Sequence, residues 1–245
     1  MSLARAVLLL IHGYFHHRAY ISPNPNPPPE ECPKPAEKET AAFFNTMNKR
    51  IAFFNVSYSL VCALEVLMIA TFNFPSLPFS HIVLTTFTSP NATCTANLQP
   101  TILFLIGVFF ALQGDLLRLW CFRELGKHFT FILTIQKDHK LMTSGPYAYL
   151  RHPSYLGAIF GFIGEILCHL TRGSWFMECA GKGMSGPVLV ALKLLLCVKV
   201  LNMAMACVML LKRAEQEDRV LKQTFGKEWD EWAKRVSYKS IPGIY

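Results

Sequence analysis

Two short stretches of this chain carry side chains whose types and spacing suit chemistry. Residues 143–157 read T-S-G-P-Y-A-Y-L-R-H-P-S-Y-L-G, so a Gly145-Pro146 turn precedes Arg151-His152-Pro153, and an apolar run follows at once. Pro153 biases His152 towards an extended backbone before helix resumes. Arg151 and His152 therefore stand at the head of a helix, beside unpaired N–H groups and a positive dipole end. Such a cationic turn suits a polar ligand; it equally suits anchoring of a membrane helix at the headgroups. The second stretch is Arg213-Ala214-Glu215-Gln216-Glu217-Asp218, with Leu221 and Phe225-Gly226 beyond it. On a continuous helix Arg213 and Glu217 share one face at i, i+4. That pair reads either as a surface ion pair worth a few tenths of a kcal/mol or as part of a ligand site.

The elements that must position these residues look membranous. Of 245 residues 52% are hydrophobic and only 16% charged. A soluble domain carries about a quarter charged residues. The formal charge of +8 would fit nucleic acid or an anionic membrane face, and the apolar runs favour the membrane. Four spans are expected, near 51–74, 100–122, 154–170 and 187–211, so the predicted fold is an all-α integral membrane bundle of about four to five transmembrane helices. Residues 1–20 hold an apolar run, Ala6 to Ile11, too short to span, and read as an interfacial or partly inserted helix. In that stretch His16-His17 reads as a solvated pair. Residues 21–48 read as a Pro-rich linker, and 49–245 as the transmembrane domain.

Charge patterning orients the bundle. The segments 123–153 and 212–245 are rich in Lys and Arg, whereas 75–99 has neither. The positive-inside rule puts the first two in the cytosol and 75–99, with its sequon Asn91-Ala92-Thr93, on the far side. Both chemistry-bearing stretches thus face the cytosol. Within the spans, Glu65, Asp115, Glu165, Lys193 and Lys199 are expected to face the interior or a partner, with Arg118 one turn from Asp115. Gly157 and Gly161, at i, i+4, suit close helix approach. Trp229, Trp232 and Tyr238 in the amphipathic tail are candidates for the membrane surface. The eight cysteines show neither metal-ligand spacing nor a disulfide framework.

Taken together, G-P-Y-A-Y-L-R-H-P-S-Y-L-G, the R-x-x-x-E-D-x-x-L-x-x-x-F-G at 213–226 and the closing Ile241-Pro242 resemble the isoprenylcysteine carboxyl methyltransferases. Gly114-Asp115 to Arg118 and His128-Phe129 are similar to the family's preceding segment. The resemblance covers roughly residues 100–245. It implies a multi-pass enzyme of the endoplasmic reticulum membrane with a cytosol-facing site. That site would use S-adenosyl-L-methionine to methylate the prenylcysteine carboxylate at the C-termini of farnesylated or geranylgeranylated proteins. It implies donor contacts from His139, Lys140, Leu141, Met142, Tyr147, His152, Pro153, Ser154 and Tyr155, with Glu217 completing the donor site and Arg213 meeting the substrate carboxylate. Asp218 departs from the family's usual second Glu, and the 171–186 loop is longer than in many relatives. No metal and no nucleic-acid partner are implied.

The chemistry is consistent with those roles. An α-carboxyl group is ionised at neutral pH, so the nucleophile needs no general base. Arg213 can grip it bidentately. Rival readings are a phospholipid-type N-methyltransferase, an NADPH-dependent sterol reductase and a non-enzymatic scaffold. An amine nucleophile would be repelled by Arg213, and the reductases usually carry Trp-Trp-Gly before the RHP where this chain has Pro146-Tyr147.

Overall fold

The computed structural model describes residues 2–25, 37–87, 95–131, 140–180, 187–241 and 243. The described residues are helical and include no strand. The helices are α1 (Ser2–Ala19), α2 (Glu37–Asn73), α3 (Ser80–Phe87), α4 (Ile102–Leu125), α5 (Pro153–His169), α6 (Pro187–Phe225) and α7 (Lys227–Arg235). Local sequence explains their ends. Proline opens α5 and α6, where its missing N–H costs nothing. Thr101 caps α4, its hydroxyl accepting from the Phe104 N–H at 3.2 Å. Gly226, at φ +54°, separates α6 from α7.

Among the described residues, three helices are long and apolar enough to cross a membrane: Lys49–Asn73, Ile102–His128 and Val190–Phe225. The expected third span, at 154–170, appears as α5, a helix of 17 residues that is not among these three. Other boundaries also move. The linker expected to reach residue 48 gives way to helix at Glu37, just past its last proline, where strong helix formers begin. A short helix, α3, occupies part of the 75–99 loop, and Phe176–Ala180 form a π-helical turn in the 171–186 loop. The sequon at Asn91, the loop residues 181–186, His139 and Pro242 lie outside the described residues.

The chain divides into two compact units. The first comprises Met1–His17, Phe54–Gln113 and Phe160–Met203. Its apolar clusters join Met68, Ile69, Leu98 and Trp175, and separately Leu9, Tyr58, Phe104, Val108 and Cys168. A buried charge network runs through it. Arg5 donates to Glu65 Oε1 at 2.6 Å and to the carbonyls of Gln99 and Cys168, and its guanidinium lies 3.9 Å from the Phe104 ring centre. His169 Nδ1 meets Glu65 Oε2 at 3.0 Å. Lys199 pairs with Glu165. The buried acids thus find partners, as a low-dielectric interior demands. Lys193, expected inward, is exposed, and His16, expected in solvent, is buried on the same α1 face as Arg5, Leu9 and His12. Cys179 is disulfide-bonded, a bond that the cysteine spacing did not announce.

The second unit comprises Arg18–Phe53, Gly114–Ile159 and Ala204–Tyr245. Its core is aromatic: Phe122, Phe129, Tyr147, Trp229 and Trp232 pack with Cys121 and Val236. Trp229 and Trp232, expected at the membrane surface, are buried instead, because α7 turns its apolar side onto this cluster. Trp232 Nε1 donates to the Tyr147 carbonyl at 3.2 Å. Glycine brings α5 close to α4: a Cβ on Gly157 would stand 2.7 Å from the Gly114 carbonyl oxygen.

Candidate active site

The second unit gathers both chemistry-bearing stretches into one buried cluster. The Arg151-His152 turn is set by its neighbours on either side. Gly145–Ala148 form a 3-10 turn that buries Pro146 and Tyr147, and Pro153 then starts α5. The tail straps the turn from outside: the N–H groups of Arg151 and His152 donate to the carbonyls of Tyr238 and Lys239 at 3.1 and 2.7 Å. Helix α6 supplies the facing acids, since it continues through Arg213 to Phe225 without a break.

Those acids divide the cationic groups between them. Asp218 accepts from Arg151 at 2.7 Å and from His152 Nε2 at 2.9 Å. Glu217 accepts from Tyr155 Oη at 2.7 Å and from Arg213 Nε at 2.8 Å, and its second oxygen lies 3.2 Å from His152 Nδ1. The His152 ring stacks on Tyr155 at 5.4 Å with an interplanar angle of 9°. Arg213 also donates to the Phe131 carbonyl. His152 therefore bridges two adjacent carboxylates with its two ring nitrogens. Burial alone would lower its pKa. The hydrogen bonds to Asp218 and Glu217, and the charges of both, outweigh burial and raise it above the ordinary 6.5. The imidazolium form is thus the one this site favours.

Of the residues expected to act, Arg213, Glu217, His152 and Tyr155 stand together. Pro153 is buried behind them as the first residue of α5. Ser154 faces another way: its carbonyl and hydroxyl accept from Arg118 at 3.2 Å, and Arg118 also donates to the Ala19 carbonyl at 3.0 Å. Arg118, one turn from Asp115, is a brace that ties the head of α5 to α4 and to the chain at Ala19. Tyr147, Leu141 and Met142 belong to the aromatic cluster, and Lys140 is exposed. Sequence reasoning missed the double role of Arg151 and Asp218, and the tail strap. The adjacent R-H and E-D pairs were the available signal, since two cations next to each other need two acids in a buried setting.

Residues 105–178 match the Isoprenylcysteine carboxyl methyltransferase (ICMT) family. The chain is 27% identical over 135 residues to protein-S-isoprenylcysteine O-methyltransferase B of Arabidopsis thaliana, covering 53% of this chain and 55% of the relative. Identity is 37% over 87 residues to the protein-S-isoprenylcysteine O-methyltransferase of Xenopus laevis, covering 31% and 30%. It is 34% over 87 residues to that of Homo sapiens, covering 34% and 31%. The chain thus spans about half the length of the Arabidopsis relative and under a third of the two vertebrate ones. The similarity to the isoprenylcysteine carboxyl methyltransferase family thus rests on residues 105–178.

Proposed function

We propose that this chain transfers a methyl group from S-adenosyl-L-methionine to the C-terminal carboxylate of a prenylcysteine, giving a methyl ester on prenylated proteins. The observation that carries the reading is the Arg213–Glu217 pair braced by the His152–Asp218–Arg151 cluster. It sets a buried guanidinium, 7% exposed, beside the most open acid of the group, 18% exposed. The residues suit such a donor. Its sulfonium and ammonium are cations that Glu217 can face, and half-buried Leu141 and Met142 offer apolar surface to a purine. When bound, the donor supplies a methyl group on a positively charged sulfur.

The chain's own tasks follow from the nucleophile. A carboxylate is ionised at neutral pH, so the site has no proton to remove. Arg213 holds the carboxylate, and Glu217 with the Phe131 carbonyl holds Arg213, so the guanidinium is preorganised before substrate arrives. Fixing two reactants in line supplies up to about 7–11 kcal/mol of a bimolecular barrier. An amine acceptor would be opposed by the same guanidinium, which speaks against phospholipid N-methylation. The prenyl chain contributes about 0.8 kcal/mol per buried CH₂, which suits an enzyme built among membrane helices. By the positive-inside rule the site faces the cytosol, and the endoplasmic reticulum is the expected membrane.

The test uses membranes holding the chain, radiolabelled S-adenosylmethionine and N-acetyl-S-farnesylcysteine. Base-labile label in the lipid-soluble product supports the reading. Absence of transfer, with NADPH consumed when a sterol is supplied, replaces it with a reductase.

A further inference from the structure

Arg50 stands in the second unit, at the beginning of the apolar stretch Lys49–Asn73 of α2. Its two terminal nitrogens donate to thioether sulfurs of α6, Nη1 to Met209 and Nη2 to Met205, each at 2.7 Å. Arg5, Arg118, Arg151 and Arg213 instead donate to carboxylate or carbonyl oxygens. A thioether is a weak acceptor, whereas a guanidinium carries five donors. Arg50 is half-buried, and its contact with Met205 is exposed, so a ligand can reach the guanidinium.

No acid answers this charge. Lys49 precedes it and is exposed. Lys212, also exposed, lies at i+3 from Met209 and i+7 from Met205, on the α6 face that Arg50 covers. Among the described residues, none of Lys49, Arg50 and Lys212 enters an ion pair. The next acids along α6 are engaged elsewhere: Glu215 lies 3.7 Å from Lys239, Glu217 2.8 Å from Arg213 and Asp218 2.7 Å from Arg151. Beside the cations α6 is apolar and open, with Met205 and Val208 50 and 52% exposed. An anion that carries apolar chains fits this combination. A free anion would leave the apolar surface bare.

We propose that Arg50, with Lys49 and Lys212, binds the phosphate of an anionic phospholipid whose acyl chains lie along Met205 and Val208 of α6. A guanidinium fork matches phosphate bidentately, and phosphate oxygens are stronger acceptors than the two sulfurs. The position suits it, since a span ends where the headgroups begin. Each further basic residue near the surface adds attraction for anionic lipid, so a net-negative headgroup is preferred to a zwitterionic one.

The test titrates the full chain in detergent micelles with phosphatidylserine or phosphatidylcholine and counts bound lipid by native mass spectrometry. No methyl transfer is involved, so the outcome is separate from that of the proposed activity. Phosphatidylserine is expected to bind about tenfold more tightly than phosphatidylcholine. Arg50→Gln should weaken phosphatidylserine about tenfold or more, as loss of charge-assisted hydrogen bonds implies, and Arg50→Lys should weaken it less. Lys227→Gln, which removes an exposed charge at the start of α7, should leave the affinity unchanged. Inorganic phosphate should fail to displace the lipid. Equal affinity for the two lipids, an Arg50→Gln variant that binds as the wild type does, or equal losses in Arg50→Gln and Lys227→Gln would each overturn the site. Displacement by inorganic phosphate would overturn the lipid as its occupant.

Discussion

Arg213 offers the sharpest test of the proposed chemistry, because its proposed hold on the substrate carboxylate can be read separately from its pairing with Glu217. Its Nε is bound to Glu217 Oε1 at 2.8 Å, and the pair is 7 and 18% exposed. Removing a partner from a fully buried ion pair costs about 3–5 kcal/mol. Glu217 retains Tyr155 Oη at 2.7 Å and His152 Nδ1 at 3.2 Å and is partly open to solvent. The folding cost of Arg213→Ala is therefore smaller, about 1.5–3 kcal/mol, the worth of one charge-assisted hydrogen bond. The catalytic cost is larger. A bidentate grip on the carboxylate is two such bonds, about 3–6 kcal/mol, or roughly 10²–10⁴-fold in kcat/KM. Arg213→Lys keeps the charge and loses the fork, so it should fall between, about 10–10²-fold below wild type. The assay is base-labile methyl transfer to N-acetyl-S-farnesylcysteine, run beside equilibrium binding of radiolabelled S-adenosylmethionine. Donor binding should stay within a few-fold in both variants. Turnover near wild type in Arg213→Ala, or Lys and Ala variants equally impaired with donor binding lost, would refute the carboxylate clamp.

Other outcomes can be stated more briefly. Glu217→Ala should weaken donor binding itself, read by the same equilibrium measurement, whereas unchanged affinity would remove Glu217 from the donor site. The His152 pKa is raised in the folded chain, so folding takes up a proton. That stability is fully present below the unfolded value near 6.5 and is lost as pH rises through the folded one. Melting temperature in detergent should thus fall on the alkaline side, and His152→Gln should flatten that slope; an unchanged slope would assign it to other groups. Arg5→Ala leaves Glu65 buried at 1% exposure without its cation and should destabilise the chain by about 3–5 kcal/mol, seen as a collapse of the melting temperature. Gly157→Val drives a side chain into the Gly114 carbonyl and Arg118 Cγ, 2.7 and 2.8 Å from the new Cβ. A cost above about 1 kcal/mol is expected, and a neutral effect would show that α4 and α5 separate easily.

How much could be read in advance depended on whether a property was local. Helix positions, the turn at 145–148 and the shared face of Arg213 and Glu217 follow from proline, glycine and a period of 3.6, all carried by neighbouring residues. The adjacency of Arg151-His152 and Glu217-Asp218 also announces that buried cations need buried acids. Their pairing does not follow from spacing, because the two stretches lie more than 60 residues apart. Likewise Trp229 and Trp232 read equally well as surface anchors or as core, since an amphipathic helix does not name the surface it covers.

The sequence by itself determined that this is a helical chain with stretches long and apolar enough to cross a membrane, two chemistry-bearing segments and motifs that resemble one methyltransferase family. Only the tertiary structure decided that Asp218 serves Arg151 and His152 while Glu217 serves Arg213 and Tyr155. It also decided that Arg5 of α1 is the partner of Glu65 and that Arg118 braces the head of α5. The physical reason is the same in each case. A buried charge must be matched, but several opposite charges in the chain satisfy that demand equally, and the choice among them is made by packing.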